Sequence, residues 1–255
     1  MKITDHNSGK SRFDEHQPSE PQDVSLQHIN VKLLLKDQKA VDLDPVIPVF
    51  HSWIQQQSGD ELLLDVADYR HVYGGPGIIL IGHEADYSID NTDNRWGVRY
   101  NRKTSVEGDN QEKLADAVRT ALQACQRLQE DTRLKGKLHF NGTDIEIYVN
   151  DRLLAPNHEA TRAALNPEFE AFSDLLFGGA KYSVSANADP RRLLTVTLKS
   201  SRAFTVGELL ENMRTAPANR LLKHVPRDAD PDYDWGNDSG NGFAAAAPGR
   251  GEFVS

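Results

Sequence analysis

The sequence predicts an α+β fold, with a mixed or mainly antiparallel sheet, or sheets, and helices packed against it. Its expected order is β α β β β α β β α β β α. Two observations predict this. Helical apolar stripes alternate with runs of strands rather than with single strands, which argues against a doubly wound parallel sheet. Turn signals also fall between strand-like runs, at Gly74-Gly75-Pro76-Gly77, Asn141-Gly142 and Asn187 to Pro190.

The first strand is an alternating run from His28 to about Leu35. Asp42 or Asp44 then caps a helix with Pro45 at its first position. Val46, Val49, Phe50, Trp53 and Ile54 make its apolar face, and Ser58-Gly59 ends it. Leu62 to His71 reads as a strand. Ile78 to Ile81 is apolar on both faces, so a central strand covered on both sides is expected there. A further strand spans about Arg95 to Asn101.

Residues 110 to 131 give the clearest helix, striped by Leu114, Val118, Ala121, Leu122, Cys125 and Leu128. Next comes an expected hairpin, Lys137 to Phe140 and Ile145 to Val149, about Asn141-Gly142. Asn157 is the expected cap of a helix reaching Phe177, with Asn166-Pro167-Glu168 interrupting it and Gly178-Gly179 stopping it. Strands near 181–185 and 193–199 follow. Thr205 and Glu208 make a capping-box pattern for a last helix through Met213.

Residues 1–25 read as a disordered polar arm and 26–215 as one α+β domain. Residues 216–255 read as a disordered tail, acidic and then Gly/Ala-rich. The net charge of -9 argues against general nucleic-acid binding, which rests on Lys and Arg neutralising phosphates. The single cysteine, Cys125, lies in an apolar helical stripe and reads as a buried, inert thiol. No run approaches the ~18–20 apolar residues of a membrane span. The first residues lack the apolar core of a signal peptide, so a soluble cytoplasmic protein is expected.

The segment 62–103 concentrates His, Asp, Glu, Tyr and Arg. A hairpin turning at Gly75 would set His83 opposite Ala67 and diagonal to Asp65, a pair able to orient an imidazole. His71 would lie too far off to share a metal ion with His83. With no HExxH or paired Cys/His spacing, neither a metal nor a cofactor is expected. Arg95, Arg99, Arg102 and Lys103 place four cations and no anion in nine residues, a candidate anion site. Internal pairing with Asp86, Asp90 and Asp93 is the structural alternative. Arg152 either binds a ligand carboxylate or clamps its turn through Asp151 or Glu159. The tail segment around Tyr233 and Trp235 joins aromatic anchors to acidic flanks and is a candidate docking element for a protein partner.

The blocks PVFHSWIQ (48–55), DVADYRHV (65–72), GPGIILIGHEADYSID (75–90) and NDRLLAPN (150–157) resemble those of a bacterial family of uncharacterised proteins, over roughly residues 28–200. The resemblance implies one folded unit and transfers no activity, cofactor or partner. The expectation is a non-catalytic binding or accessory module for a protein partner or small anionic ligand. The alternative is an enzyme of unrecognised type, with His83 as acid/base, Asp65 orienting it, and Arg99 or Arg102 holding an anionic substrate.

Overall fold

The computed structural model describes residues 24–38, 41–57 and 61–214. The elements run β1 (Ile29–Leu35), α1 (Val46–Gln56), β2 (Leu63–Tyr69), β3 (Gly77–Gly82), β4 (Ala85–Asp90), β5 (Gly97–Arg102) and α2 (Asn110–Glu130). They continue with β6 (Phe140–Val149), α3 (Glu159–Leu176), β7 (Tyr182–Ala186), β8 (Leu194–Ser200) and α4 (Val206–Arg214). The strands form one sheet in the order β2-β3-β4-β5-β1-β6-β8-β7. Every adjacent pair is antiparallel. The fold is therefore α+β, as the patterning predicts.

β1 joins two blocks of strands. The meander β2 to β5 lies on one side of it, and β6, β8 and β7 on the other. Side chains alternate across the sheet. Ile29, Val31, Leu33 and Leu35 of β1 join Val98, Tyr100, Ile145, Ile147 and Val149 in the core. The buried faces of the helices belong to that same cluster: Val49, Phe50 and Trp53 of α1, Leu114, Val118, Leu122 and Leu128 of α2, Phe169 and Phe172 of α3, and Leu209 of α4. The intervening strand residues, such as Asn30, Lys32, Arg99, Glu146 and Tyr148, point to the other face. The result is two layers, with the helices on one side of the sheet.

Several elements differ from expectation, each for a local reason. The expected hairpin around Asn141-Gly142 is one strand, β6. Gly142 serves close approach instead of a turn, because a Cβ there would lie 1.7 Å from the Phe204 carbonyl oxygen. β4 was not expected, and its sequence Ala-Asp-Tyr-Ser-Ile-Asp alternates in the way an uncovered strand does. The element order is accordingly β α β β β β α β α β β α. β3 lies next to the edge strand β2 and is not central. Its Ile78 and Leu80 are buried, whereas Ile79 and Ile81 are half-buried on the other face.

The helix ends also differ. α1 starts after Pro45 with no side-chain cap, and Gln57, in the left-handed region at φ 43°, closes it. Ser58-Gly59, its expected end, lies outside the described residues. α3 runs unbroken through Pro167. Pro167 and Ala163, four residues before it, are both exposed, so the carbonyl deprived of its partner faces water. His158 is the residue before this helix. Asn157, the expected cap, is instead buried, and its amide donates to the carbonyls of Asn187 (3.0 Å) and Asp189 (2.8 Å). The capping box of α4 forms as expected, with the Glu208 N–H donating to Thr205 Oγ1 at 3.1 Å and the Thr205 N–H to Glu208 at 2.7 Å.

The close approach at Gly142 has a measurable consequence. Gly142→Ala should force β6 away from Phe204 and cost about 1–3 kcal/mol of stability, the usual range for overpacking. The denaturant midpoint checks this, and an unchanged midpoint would mean that the two backbones do not touch.

Candidate functional site

Two adjacent rows of side chains cross the uncovered face of the sheet. Strand register places Ser88, Arg99, Lys32, Glu146 and Thr197 in one row. Asp86, Asn101, Asn30, Tyr148 and Thr195 form the next. Although no helix of the core cluster reaches this face, much of it is shielded. Lys32 is fully buried, and Asn30, Ser88, Asp90 and Glu146 are at most 6% exposed.

Most charges in these rows are matched. The Lys32 ammonium donates to the Asp90 carboxylate and, at 3.2 Å, to the Thr92 carbonyl. It reaches Asp90 by passing over Gly97, where a Cβ would lie 3.1 Å from Lys32 Cε. Burial lowers the Lys32 pKa, and Asp90 opposes the shift. Arg95 pairs with Glu146, whose other oxygen accepts the Tyr148 hydroxyl at 2.8 Å. Burial, with Glu146 beside it, raises the Tyr148 pKa. Lys103 donates to Asp86 at 2.8 Å and Arg192 to Asp93 at 2.8 Å. The three aspartates near the basic run are therefore paired, although none of them with Arg95 or Arg99.

Arg99 differs from its neighbours. Among the described residues it forms no ion pair. Its guanidinium carbon lies 4.5 Å from the centre of the Tyr148 ring, and its Nε donates to Asn101 Oδ1 at 2.9 Å. Stacking and one hydrogen bond fix the plane of the group and leave its terminal nitrogens for an anion. Beside it, Asn30 Oδ1 and Ser88 Oγ are buried and have no hydrogen-bond partner. Each such group costs about 1–3 kcal/mol when unsatisfied. An orphaned pair flanking an unpaired arginine marks a place built for a further polar partner.

A depression of about 510 Å³ opens here, lined by Arg99, Asn101 and Lys103, by Asn30 and His28 at the start of β1, and by Asn150 and Asp86. The His28 ring lies 3.3 Å from Asp151, with its backbone in the left-handed region at φ 49°. Other cavities are less suited to an anion. The one of about 420 Å³ beside Tyr73 contains Arg70, which Asp44 and Asp68 already occupy. The one of about 730 Å³ beside Phe204 contains Thr205 and Glu208, which cap each other.

The structure thus gathers Arg99 and Lys103 of the basic run and separates the rest. Arg95 is taken by Glu146. Arg102 also borders the depression, but its guanidinium serves the covered side, where it bonds Glu84 at 3.2 Å and the Tyr100 hydroxyl at 3.5 Å. Arg152 is exposed and donates to the Arg191 carbonyl at 2.7 Å, so it clamps a neighbouring turn, through a different partner from those expected.

The hairpin between β2 and β3 turns around Tyr73 and not around Gly75, because Asp65 faces Ile81 and Ala67 faces Ile79. His83 therefore leaves the strand and sits exposed in the β3–β4 turn. Asp65 accepts the N–H of Val66 at 2.7 Å. No hydrogen bond or ion pair joins His83 and Asp65. Burial pushes the Cys125 thiol pKa well up, in keeping with an inert core thiol.

His28, Asn30, Lys32 and Tyr148 were not singled out in the sequence. The alternation of His28, Asn30 and Lys32 with apolar residues announced a polar face, but their neighbours come from β5 and β6, far along the chain. Tyr233 and Trp235 lie outside the described residues. Among the described residues, no helix is long and apolar enough to cross a membrane, and no three His, Cys, Asp or Glu side chains converge as a metal site. No protein-family model and no curated protein matches the chain, so the resemblance rests on its four blocks alone.

A second ionisable group sits at the covered edge of the sheet. Glu61 accepts the Ala85 N–H at 2.6 Å and the Tyr87 hydroxyl at 2.8 Å, fastening the start of β2 to β4. Burial raises its pKa from 4.5, and the hydrogen bonds from Tyr87 and Ala85 only partly oppose this. The folded state then holds the proton to higher pH than the unfolded chain. Its stabilising contribution is full below the unfolded pKa and is lost as pH rises through the folded value. Glu61→Gln, which does not titrate, should gain stability relative to wild type as pH rises above 4.5. Parallel unfolding curves check this, and a pH-independent difference would contradict it.

Proposed function

We propose that this protein is a non-catalytic binding module that takes a small anionic ligand on the uncovered face of its sheet, with Arg99 as the anchoring cation. One observation carries the reading. In a face where Lys32, Arg95 and Lys103 each hold a carboxylate, Arg99 has none among the described residues, yet its plane is fixed. The aromatic support of Tyr148 and the hydrogen bond to Asn101 fit anion recognition, because a preordered guanidinium loses little freedom on binding. Lys103 also lines the depression, with its charge matched by Asp86. His28, held by Asp151 at 3.3 Å, also lines the depression.

The enzymatic alternative needs an acid/base beside the anion site. His83, in its turn, makes no bond to Asp65 and is not among the residues lining the depression. His28 does line it, but nothing in its surroundings requires proton transfer.

The test is a thermal-shift titration of wild type and Arg99→Ala with inorganic phosphate and with small mono- and dicarboxylates. A ligand present at about a hundred times its Kd stabilises by about 2.7 kcal/mol, a shift of several degrees. The reading expects such a shift in wild type and its loss in Arg99→Ala. Equal shifts in both proteins, or none with any anion, would overturn it. So would turnover of a bound acid.

A further inference from the structure

We propose that the ligand of this depression is a carboxylate bearing a hydrogen-bond donor on the adjacent carbon, an α-hydroxy or α-amino acid, and not an acceptor-only anion such as phosphate. This rests on the reading of the Arg99 depression as an anion site and goes beyond it by assigning the chemistry of the ligand's second group.

The terminal nitrogens of Arg99 are donors, and two of them in one plane suit the two oxygens of a carboxylate. Ser88 faces Arg99 directly across β4 and β5. Its hydroxyl is buried and unpartnered on the same side of the sheet, although Ser88 is not among the residues lining the depression. Asn30 differs. Its side chain is 2% exposed, lines the depression and makes no hydrogen bond with any described residue. The atom that is buried and unpartnered is the amide oxygen, which takes only donors. An anion that carries acceptors alone leaves that oxygen unsatisfied, whereas a hydroxyl or ammonium group satisfies it.

The spacing suits a small acid. Asn30 faces Asn101 across β1 and β5, and Arg99 is two residues from Asn101 on the same strand face. Asn30 and Arg99 are thus diagonal neighbours, with a separation of about 7–8 Å between their positions. Their side chains converge on one depression. Arg99 Nε is engaged by Asn101, and both residues line the depression. The rim fits as well. Asp86 lines the depression and Asp151 holds its His28, so an ammonium group meets carboxylates there that Lys103 and His28 already engage.

Isothermal titration with malate, aspartate, succinate and inorganic phosphate separates the possibilities, because the first three acids share a carbon skeleton and differ in the α substituent. Wild type should bind malate or aspartate about tenfold more tightly than succinate, the worth of one good hydrogen bond, and phosphate more weakly still. A preference for malate assigns a hydroxyl donor and a preference for aspartate an ammonium donor, and either supports the proposal. Asn30→Ala should level malate and aspartate with succinate. Arg99→Ala should abolish all of them. If succinate or phosphate equals the α-substituted acids in wild type, and Arg99 is still required, the donor assignment is overturned while the anion site stands. If none of the four binds, both readings fall. The wild-type series decides the matter even if Asn30→Ala does not fold.

Discussion

The structure depends on β1. It is the first strand in sequence, yet it pairs on both sides, with β5 and with β6, and all seven of its residues are buried. A strand buried on both faces is ordinarily apolar throughout. β1 instead carries Asn30 and Lys32 on the face away from the helices. Lys32 is tolerated there only because Asp90 supplies the countercharge and Gly97 leaves room for the lysine stem. Removing an ammonium from water costs several kcal/mol, so the pair offsets a penalty more than it adds stability.

That constraint organises the face around it. Lys32 takes Asp90 and Arg95 takes Glu146, so the nearest carboxylates are committed before Arg99 is considered. Glu146 is also held by Tyr148, whose ring supports Arg99. The free guanidinium and the buried pair are thus two results of one charge arrangement. The helices contribute indirectly by covering the other face and holding the sheet in register, with α2 packed along β1 and β5.

The fold class was legible because alternation and helical stripes are local signals. The capping box at Thr205, the α2 stripe and the glycine stop at Gly178-Gly179 likewise depend on residues close in sequence. Gly142 was misread because a glycine that permits close approach looks the same in sequence as one that makes a turn, and its neighbour Phe204 is more than sixty residues away. The hairpin between β2 and β3 was misregistered because the Gly-Gly-Pro-Gly run lies on one limb of the turn and not at its centre. The site was half legible. The cluster of cations from Arg95 to Lys103 stands out, but which of them remains unpaired is decided by Glu146 of β6, Asp86 of β4 and Glu84 of the β3–β4 turn. Strand alternation alone divides the basic run, with Arg99 on the uncovered face and Arg102 on the other. Nothing in the sequence paired Asn30 with Asn101.

The buried Lys32–Asp90 pair holds β1 at the junction of the two strand blocks and thereby sets the charge pattern of the uncovered face. A double-mutant cycle of Lys32→Met and Asp90→Asn, read as unfolding free energy, tests it most directly. Each single change should cost about 3–5 kcal/mol, since it strands the partner in a buried position. The double variant should cost well under the sum, with a coupling energy of at least about 2 kcal/mol. Additive losses of under about 1 kcal/mol each would show that the two groups do not depend on each other, and would contradict the account.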